Sequence, residues 1–375
     1  MMEELNKIAS PPSADGYANG IMRPLGVVVR YMIADFGEAL HASTQTTAQC
    51  PAKLGEGYDA VGTTKMKMPE KKTKEYIFGQ KAYDVEHALS MYAVSYCTLP
   101  AESIYDKHLL AQYRDVLDKC HIYLIGYTPK VDFVGAEQRD RQLLLSFEVL
   151  STKHVVDFPL SEDLSLEVDG DLHYLIDKKG NRYFPTEEQM QSRLAAVTGA
   201  IKFEVKYIGQ AYGKDGSRNA LDRLLKHETL QKIALKGVPD GYRISLLLLA
   251  VEPSNQLITA FNPYAKNKDE SGARFQDGLK KLHNTSEEER ISLYEAALIR
   301  YFYPEFNKEF KDSFPSTNLK ILQDCYDKDF SAVVAEICID SIPFQLWSQA
   351  ASPKWHHIAQ HNLHKSEDRR MFFSL

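Results

Sequence analysis

The longest apolar run in the chain, ISLLLLAV at residues 244–251, constrains the fold more than any other stretch. It is far shorter than a membrane-spanning helix, which needs about 20 apolar residues. A short apolar run without polar alternation is typical of a strand that is buried on both faces. Residues 242–252 are therefore predicted to form a fully buried strand, and no membrane partner is expected.

The composition is that of a globular, cytoplasmic protein. The 375 residues are 44% hydrophobic and 26% charged, and the chain is long enough for two domains. The net charge is −6, from 45 basic and 51 acidic residues, so a nucleic-acid-binding surface would have to be a local patch. The five cysteines are dispersed and form no C-x-x-C pair, which argues against a disulfide framework or a structural zinc site.

Patterns of predicted strands and helices divide the chain into three segments. Residues 1–165 are predicted to be a separate α+β domain, with a helix near 83–94 and several later strands. Its lysine-rich stretch TTKMKMPEKKTK, at 63–74, is either a solvated loop or an arm that contacts phosphates. Residues 166–315 alternate strands and helices, and residues 316–375 are predicted to be mostly helical.

A polar pair and an isolated carboxylate stand out in the second segment. Arg223 and His227 are four residues apart in a predicted helix over 218–235, so both side chains would project from one face. Glu295 lies within an apolar stripe of a second predicted helix, at 286–303, where an unpaired charge would be costly. A salt bridge, a position at the helix edge and a metal ion are three explanations for Glu295 that stay open.

Four short motifs follow one another in this segment: YIG at 207–209, RLLKH at 223–227, YEAALI at 294–299, and P-x-x-N at 304–307. Together they resemble the GIY-YIG endonuclease family, in the style of its restriction-endonuclease branch, over roughly residues 170–315. The resemblance implies an α+β domain at 166–315, in which a three-stranded antiparallel sheet is flanked by helices. The N-terminal α+β domain would precede it, and the helical C-terminal segment would follow it.

The resemblance also implies a set of catalytic residues: Tyr174, Tyr207, Arg223, His227, Glu295 and Asn307. No GIY motif precedes YIG at the family's usual distance. Tyr174, in DLHYLID, is therefore the candidate for the first tyrosine, and Tyr183 is the alternative. This choice requires the predicted helix at 185–197 to be an insertion in the first hairpin.

Each residue type suits a part of phosphodiester hydrolysis. Glu295 would bind one Mg²⁺ or Mn²⁺ ion, which stabilises the leaving oxygen. Arg223 carries a planar, permanently charged group that fits phosphate oxygens. A tyrosine of the first two motifs, with His227 as its neighbour, would take the proton of the attacking water.

A basic patch surrounds these motifs. Between residues 200 and 235, seven Lys and Arg residues stand against four Asp and Glu residues, which gives a local charge of +3. Such a patch in an acidic chain favours a surface that faces nucleic acid. The predicted nucleic-acid-binding residues are Lys206, Lys214, Arg218 and Lys226.

The implied function is a metal-dependent endonuclease that hydrolyses phosphodiester bonds in DNA, in restriction or phage defence. RNA is the alternative substrate. The alternative function is a catalytically inactive nucleic-acid-binding or partner-regulated module that keeps the fold. Homo-oligomers, or a regulatory protein bound through residues 1–165, are the protein partners that this organisation would allow.

Overall fold

The computed structural model describes residues 28–31, 81–111, 113–183, 187–199, 201–213, 216–251, 256–316, 318–339 and 342–370. The lysine-rich stretch at 63–74 and the predicted binding residue Lys214 lie outside these residues. The strands are β1 (Val28–Tyr31), β2 (Val85–Pro100), β3 (Ile122–Pro129), β4 (Val131–Arg139), β5 (Gln142–Val149), β6 (Thr152–Pro159), β7 (Leu164–Asp169), β8 (Leu172–Asp177), β9 (Arg182–Tyr183), β10 (Lys202–Gln210), β11 (Tyr242–Val251), β12 (Gln256–Phe261), β13 (Ala332–Cys338), β14 (Gln345–Trp347) and β15 (His356–Asn362). The α-helices are α1 (Lys107–Ala111), α2 (Arg114–Leu117), α3 (Glu187–Thr198), α4 (Ala220–Leu224), α5 (Glu228–Lys236), α6 (Ala273–His283), α7 (Glu287–Phe302) and α8 (Lys320–Asp327), and 3₁₀ turns occur at Ala101–Tyr105 and Glu367–Arg369.

A curled mixed sheet of nine strands organises the described residues into an α+β fold. Its main order is β14–β10–β3–β11–β2–β13–β15, and β1 and β12 also pair with β2. The 16-residue strand β2 is shared, because its first half pairs with β12 and β13 and its second half pairs with β11. The two end strands β14 and β15 follow one another in the chain, and a bridge between Leu346 and Lys354 brings them together.

Helix α7 packs against β10, β13 and β15. It begins with a capping box, in which the Ser286 hydroxyl accepts from the Glu289 backbone and the Glu289 side chain accepts from the Ser286 backbone. Residues 293–299 of the helix are all buried. The helix ends where Tyr303 adopts a positive φ of 49° and Pro304 follows. The predicted helix over 286–303 is confirmed.

Strand β11 is buried on both faces, as the run at 244–251 predicts. Leu247 and Leu249 belong to the core around α7, whereas Leu246 and Leu248 belong to a second core beneath α1, α2, α4 and α5. All four side chains have no exposed surface. No helix in the described parts of the chain is both long enough and apolar enough to cross a membrane.

An acidic β-rich excursion separates β3 from β10. It consists of two three-stranded sheets, β4–β5–β6 and β7–β8–β9, and helix α3 follows it. Residues 131–183 contain 6 basic and 11 acidic residues, a net charge of −5. The excursion begins after Pro129, at the end of β3 that is farther from Tyr123.

Two segments that were predicted to be helical contain strands instead. The stretch near 83–94, predicted to be a helix, lies in strand β2. Residues 316–375, predicted to be mostly helical, contain helix α8 and the three strands β13, β14 and β15. Residues 85–91 of β2 are all buried, so both faces of this part of the strand are covered. The alternation of apolar and polar residues that marks a half-buried strand is therefore missing here.

The nine-stranded sheet also crosses the boundary that was expected near residue 165. Strands β2 and β3 precede that position, and they pair with β10, β11 and β13, which follow it. The antiparallel set β10–β3–β11 is therefore assembled from both sides of the expected boundary.

Candidate active site

Two tyrosine rings lie side by side where β3 and β10 pair. Gly209 is directly opposite Tyr123 in the antiparallel register, and Tyr207 precedes Gly209 by two residues on the same face. A Cβ atom on Gly209 would lie 2.5 Å from the Tyr123 hydroxyl oxygen and 2.8 Å from Cε1 of Tyr207. Glycine is therefore needed here so that both rings fit, with their centroids 6.2 Å apart.

His227 is held as a hydrogen-bond donor to Tyr123. It is the N-cap of α5, where its Nδ1 accepts from the backbone N–H of Leu230 at 3.2 Å. Burial, and then the charge of Arg223, lower the pKa of His227 to about 4, so the ring is neutral near pH 7. Because Nδ1 accepts, the single proton is on Nε2, and this N–H donates to the Tyr123 hydroxyl at 2.8 Å.

The reason that Arg223 and His227 meet differs from the predicted one. The expected continuous helix over 218–235 is broken between α4 and α5, so the two residues do not share a helical face. Both reach the Tyr123 hydroxyl instead, since Arg223 also hydrogen-bonds it. Arg223 is exposed, and among the described residues no carboxylate forms an ion pair with it. Its charge is therefore available to an anion.

Glu295 is a buried carboxyl group in the middle of α7. Its side chain is 9% exposed, and Gln210 donates hydrogen bonds to it from the side-chain amide and the backbone. Burial, with a further contribution from the charge of Glu309, raises the pKa of Glu295 to about 8. In the described part of the chain it has no ion pair, and its burial excludes a position at the helix edge. With this pKa the carboxyl group is largely protonated near pH 7, so it can be buried without an ion pair, and the metal ion stays a prediction.

Asn307 fixes strand β10 to the loop that follows α7. Its Oδ1 accepts from the Ile208 backbone N–H at 2.9 Å, and its Nδ2 donates to the Ile208 carbonyl at 2.8 Å. Ile208 stands between Tyr207 and Gly209, so this pair of hydrogen bonds sets the position of both. Asn307 is therefore a positioning residue for the tyrosine pair.

Tyr174 and Tyr183 lie outside this site, which corrects both candidates for the first tyrosine. They belong to the separate sheet β7–β8–β9. The Arg182 guanidinium carbon stacks 4.5 Å from the ring centroid of Tyr174, and the Tyr183 hydroxyl donates to Asp177 at 2.9 Å.

Tyr123, and neither of these two residues, is the tyrosine that lies beside Tyr207 and His227. The tripeptide HIY at 121–123 differs from GIY only in its first residue. This tripeptide is the sequence feature that could have identified Tyr123 as a candidate. It stands 84 positions before Tyr207, because the excursion and α3 come between, and a search near YIG misses it.

The predicted nucleic-acid-binding residues differ in their exposure and in their ion pairs. The Lys206 side chain is 12% exposed and forms ion pairs with Glu204 at 2.8 Å and Glu305 at 3.2 Å, so it is not free to bind a phosphate. Lys226 is exposed. Arg218 is half-buried and close enough to the site for its charge to lower the pKa of His227.

In the residues that the structure describes, no group of three or more His, Cys, Asp or Glu side chains could together hold a metal ion. A site built on Glu295 would therefore use one or two carboxylates. That is the usual situation for Mg²⁺, which keeps several water ligands and binds substrate phosphates.

No protein-family model matches the chain, and comparisons with curated proteins and with solved structures find no significant match.

Proposed function

We propose that this protein is a metal-dependent endonuclease of the GIY-YIG type that hydrolyses phosphodiester bonds in DNA. The observation that supports the proposal is the convergence of two tyrosines, a neutral histidine, an exposed arginine and a buried carboxyl group at one end of β3 and β10. Phosphodiester hydrolysis needs a proton acceptor, a cation for the phosphate and a site for a divalent metal ion. These five side chains supply all three.

The local topology also supports the GIY-YIG type. The HIY and YIG tripeptides lie on adjacent antiparallel strands, and β11 pairs with the other edge of β3. The resulting set β10–β3–β11 is a three-stranded antiparallel unit with α4 and α5 on one side and α7 on the other. The acidic excursion is then an insertion between the two tyrosine motifs.

Glu295 fits the requirements of a Mg²⁺ or Mn²⁺ ligand. Its oxygen donors suit a hard cation, and burial raises its pKa more than the Gln210 hydrogen bonds and the charge of Arg223 lower it, so a bound cation would favour the ionised form. When bound, such an ion would polarise the phosphate and stabilise the charge that develops on the leaving oxygen. The hydrogen bonds from Gln210 hold the carboxyl group in place for this role.

We assign the proton-accepting role to the pair Tyr123 and Tyr207, of which one must first release its own hydroxyl proton to solvent and become a phenolate. Their hydroxyl groups hydrogen-bond one another, and burial raises the pKa of both. His227 and Arg223 each donate to the Tyr123 oxygen, which stabilises its phenolate form. His227 therefore acts as a donor that stabilises the phenolate, and it does not take the proton itself.

Arg223 binds and orients the scissile phosphate. Its guanidinium carries a permanent charge, and it is exposed while also touching Tyr123. The phosphate would therefore lie beside the proton-accepting pair, where an attacking water can reach both. Lys226 and Arg218 add positive charge along the approach to this position.

The test is a cleavage assay with the purified chain on supercoiled plasmid, linear duplex, single-stranded DNA and RNA, each with Mg²⁺, Mn²⁺ or EDTA. We expect cleavage of DNA with either metal ion and none in EDTA. Glu295→Gln should remove cleavage while the protein still binds DNA, because the basic residues supply most of the affinity. Binding without cleavage by the wild-type chain would instead identify an inactive nucleic-acid-binding module.

A further inference from the structure

A pocket of about 570 Å³ opens beside the candidate site, on the far side of helix α4. Leu221 and Leu225 line it from one side of α4, whereas Arg223 projects from the opposite side toward Tyr123. Because an α-helix with its side chains is about 10–12 Å across, the pocket is only a short distance from the proposed phosphate position. Helix α4 thus contributes side chains both to the pocket and to the proposed phosphate position.

The pocket has an apolar floor and a polar rim. Ile104, Leu110 and Leu117 form the floor, and all three are buried core residues. Lys107 and Arg114 stand at the rim. A volume of 300–1,000 Å³, with a mostly apolar lining and a few polar groups, is usual for sites that bind small molecules or single chemical groups.

An unusually exposed aromatic side chain marks the mouth of this pocket. Tyr105, the last residue of the first 3₁₀ turn, is 70% exposed, and Leu225 opposite it is 39% exposed. A flat aromatic ring beside an apolar floor is a stacking platform for a planar, partly polar group. Asp222, also in the lining, is exposed and can accept a hydrogen bond from the edge of such a group.

We propose that this pocket receives one unstacked base of the nucleic-acid strand whose phosphate is bound at Arg223. The proposal rests on the endonuclease function, and it identifies the substrate class as DNA with an unpaired nucleotide beside the cleaved bond. The base would stack on Tyr105, and the cation Lys107 at the rim would meet a neighbouring phosphate. A fully paired duplex, whose bases stay stacked, would leave the pocket unused.

The test measures the affinity of the full chain, in EDTA, for three fluorescent DNA probes of one sequence: a paired duplex, the same duplex with one unpaired 2-aminopurine, and the single strand. We expect Tyr105→Ala to weaken binding of the two unpaired probes by about tenfold, because base–aromatic stacking has that magnitude. Binding of the paired duplex should change less than twofold, a margin of roughly the scatter between repeat measurements. Tyr105→Phe should bind like the wild type, and 2-aminopurine fluorescence should fall when the base stacks on the ring.

Tyr264→Ala is the matched control, since Tyr264 is an exposed tyrosine, at 47%, that does not line the pocket. Leu225→Asp should repeat the effect of Tyr105→Ala from the other side of the mouth. If wild-type and Tyr105→Ala proteins bind the unpaired probes equally while DNA is still cleaved, the base pocket is wrong and the nuclease function stands. If the wild-type chain neither binds nor cleaves nucleic acid, both proposals are wrong.

Discussion

Two buried glutamates, Glu86 and Glu295, show how differently this fold treats a carboxyl group. Their residues are 3% and 9% exposed. Glu86 forms ion pairs with Arg369 at 2.9 Å and Arg274 at 3.3 Å, and it accepts a hydrogen bond from Ser331. Glu295 has no ion pair in the described part of the chain, and Gln210 donates hydrogen bonds to it.

The surroundings of Glu86 form a closed network. Arg274 and Arg369 also pair with Asp329, at 2.7 Å and 2.8 Å. Their guanidinium carbons lie 4.0 Å and 4.8 Å from the ring centroid of Tyr83. Two cations thus face two carboxylates, which joins β2 to α6, to the loop after α8 and to the C-terminal 3₁₀ turn. This network stabilises the fold and leaves no charge for a ligand.

The comparison separates a structural network from the side chains of the proposed active site. Two arginines pair with the buried carboxyl group of Glu86, whereas in the described residues none forms an ion pair with that of Glu295. Glu295 has a strongly raised pKa, as groups at functional sites often do, and the charge of Arg223 is close enough to act on it. Four predictions test whether the two regions divide these roles.

The largest effect is expected for Glu295→Gln, which should lower the rate of metal-dependent DNA cleavage by at least about 10³-fold, since a catalytic metal ion contributes several kcal/mol. Thermal unfolding should stay unchanged, because Glu295 is already largely neutral at pH 7. Glu288→Gln, an exposed residue of the same helix, is the control. Cleavage at the wild-type rate by Glu295→Gln would make Glu295 a structural acid.

For Glu86→Gln the loss should appear in stability instead. Removing one partner of a buried ion pair leaves Arg274 and Arg369 undercompensated, and we expect the free energy of unfolding to fall by about 3 kcal/mol. Urea denaturation measures this change. Cleavage per folded molecule should stay at the wild-type level, and a specific loss of activity in a folded Glu86→Gln protein would break the division of roles.

Tyr123→Phe should slow cleavage by about 10²-fold, the usual scale for a lost general base. Packing should hold, because only the hydroxyl group that accepts from His227 is removed. Single-turnover cleavage with saturating DNA measures the effect. Tyr174→Phe, in the separate sheet, should be silent, and the opposite pattern would return the first tyrosine to the acidic excursion.

The smallest effect is a slope of stability with pH. The folded chain keeps a proton on Glu295 up to about pH 8, whereas the unfolded chain releases it near the ordinary value of 4.5, so raising the pH favours unfolding in this window. His227, whose pKa is lowered to about 4, affects stability only below its ordinary value of 6.5. Between pH 6.5 and pH 8 the wild type should therefore lose up to about 1 kcal/mol per pH unit relative to Glu295→Gln.

Urea denaturation at several pH values in this range measures the slope. Parallel curves for the two proteins would mean that Glu295 is already ionised when folded.

Local patterns in the sequence were sufficient for several elements and residues. Strand β11 follows from an apolar run, and α7 follows from its capping box, its buried stripe and the proline after it. Glu295 stood out because a carboxylate broke that stripe. Each of these signals depends on neighbours within one or two helical turns, so it survives without knowledge of the fold.

Other features depend on contacts that a local pattern does not contain. Tyr123 and Tyr207 are 84 positions apart in the chain, and they lie side by side only because β3 pairs with β10. Lys206 belongs to a basic patch in the sequence, yet Glu305, from the loop after α7, neutralises it. The sequence thus determined which side chains can do chemistry, and strand register and long-range packing decided which of them meet, because partners distant in the chain are chosen by the whole core.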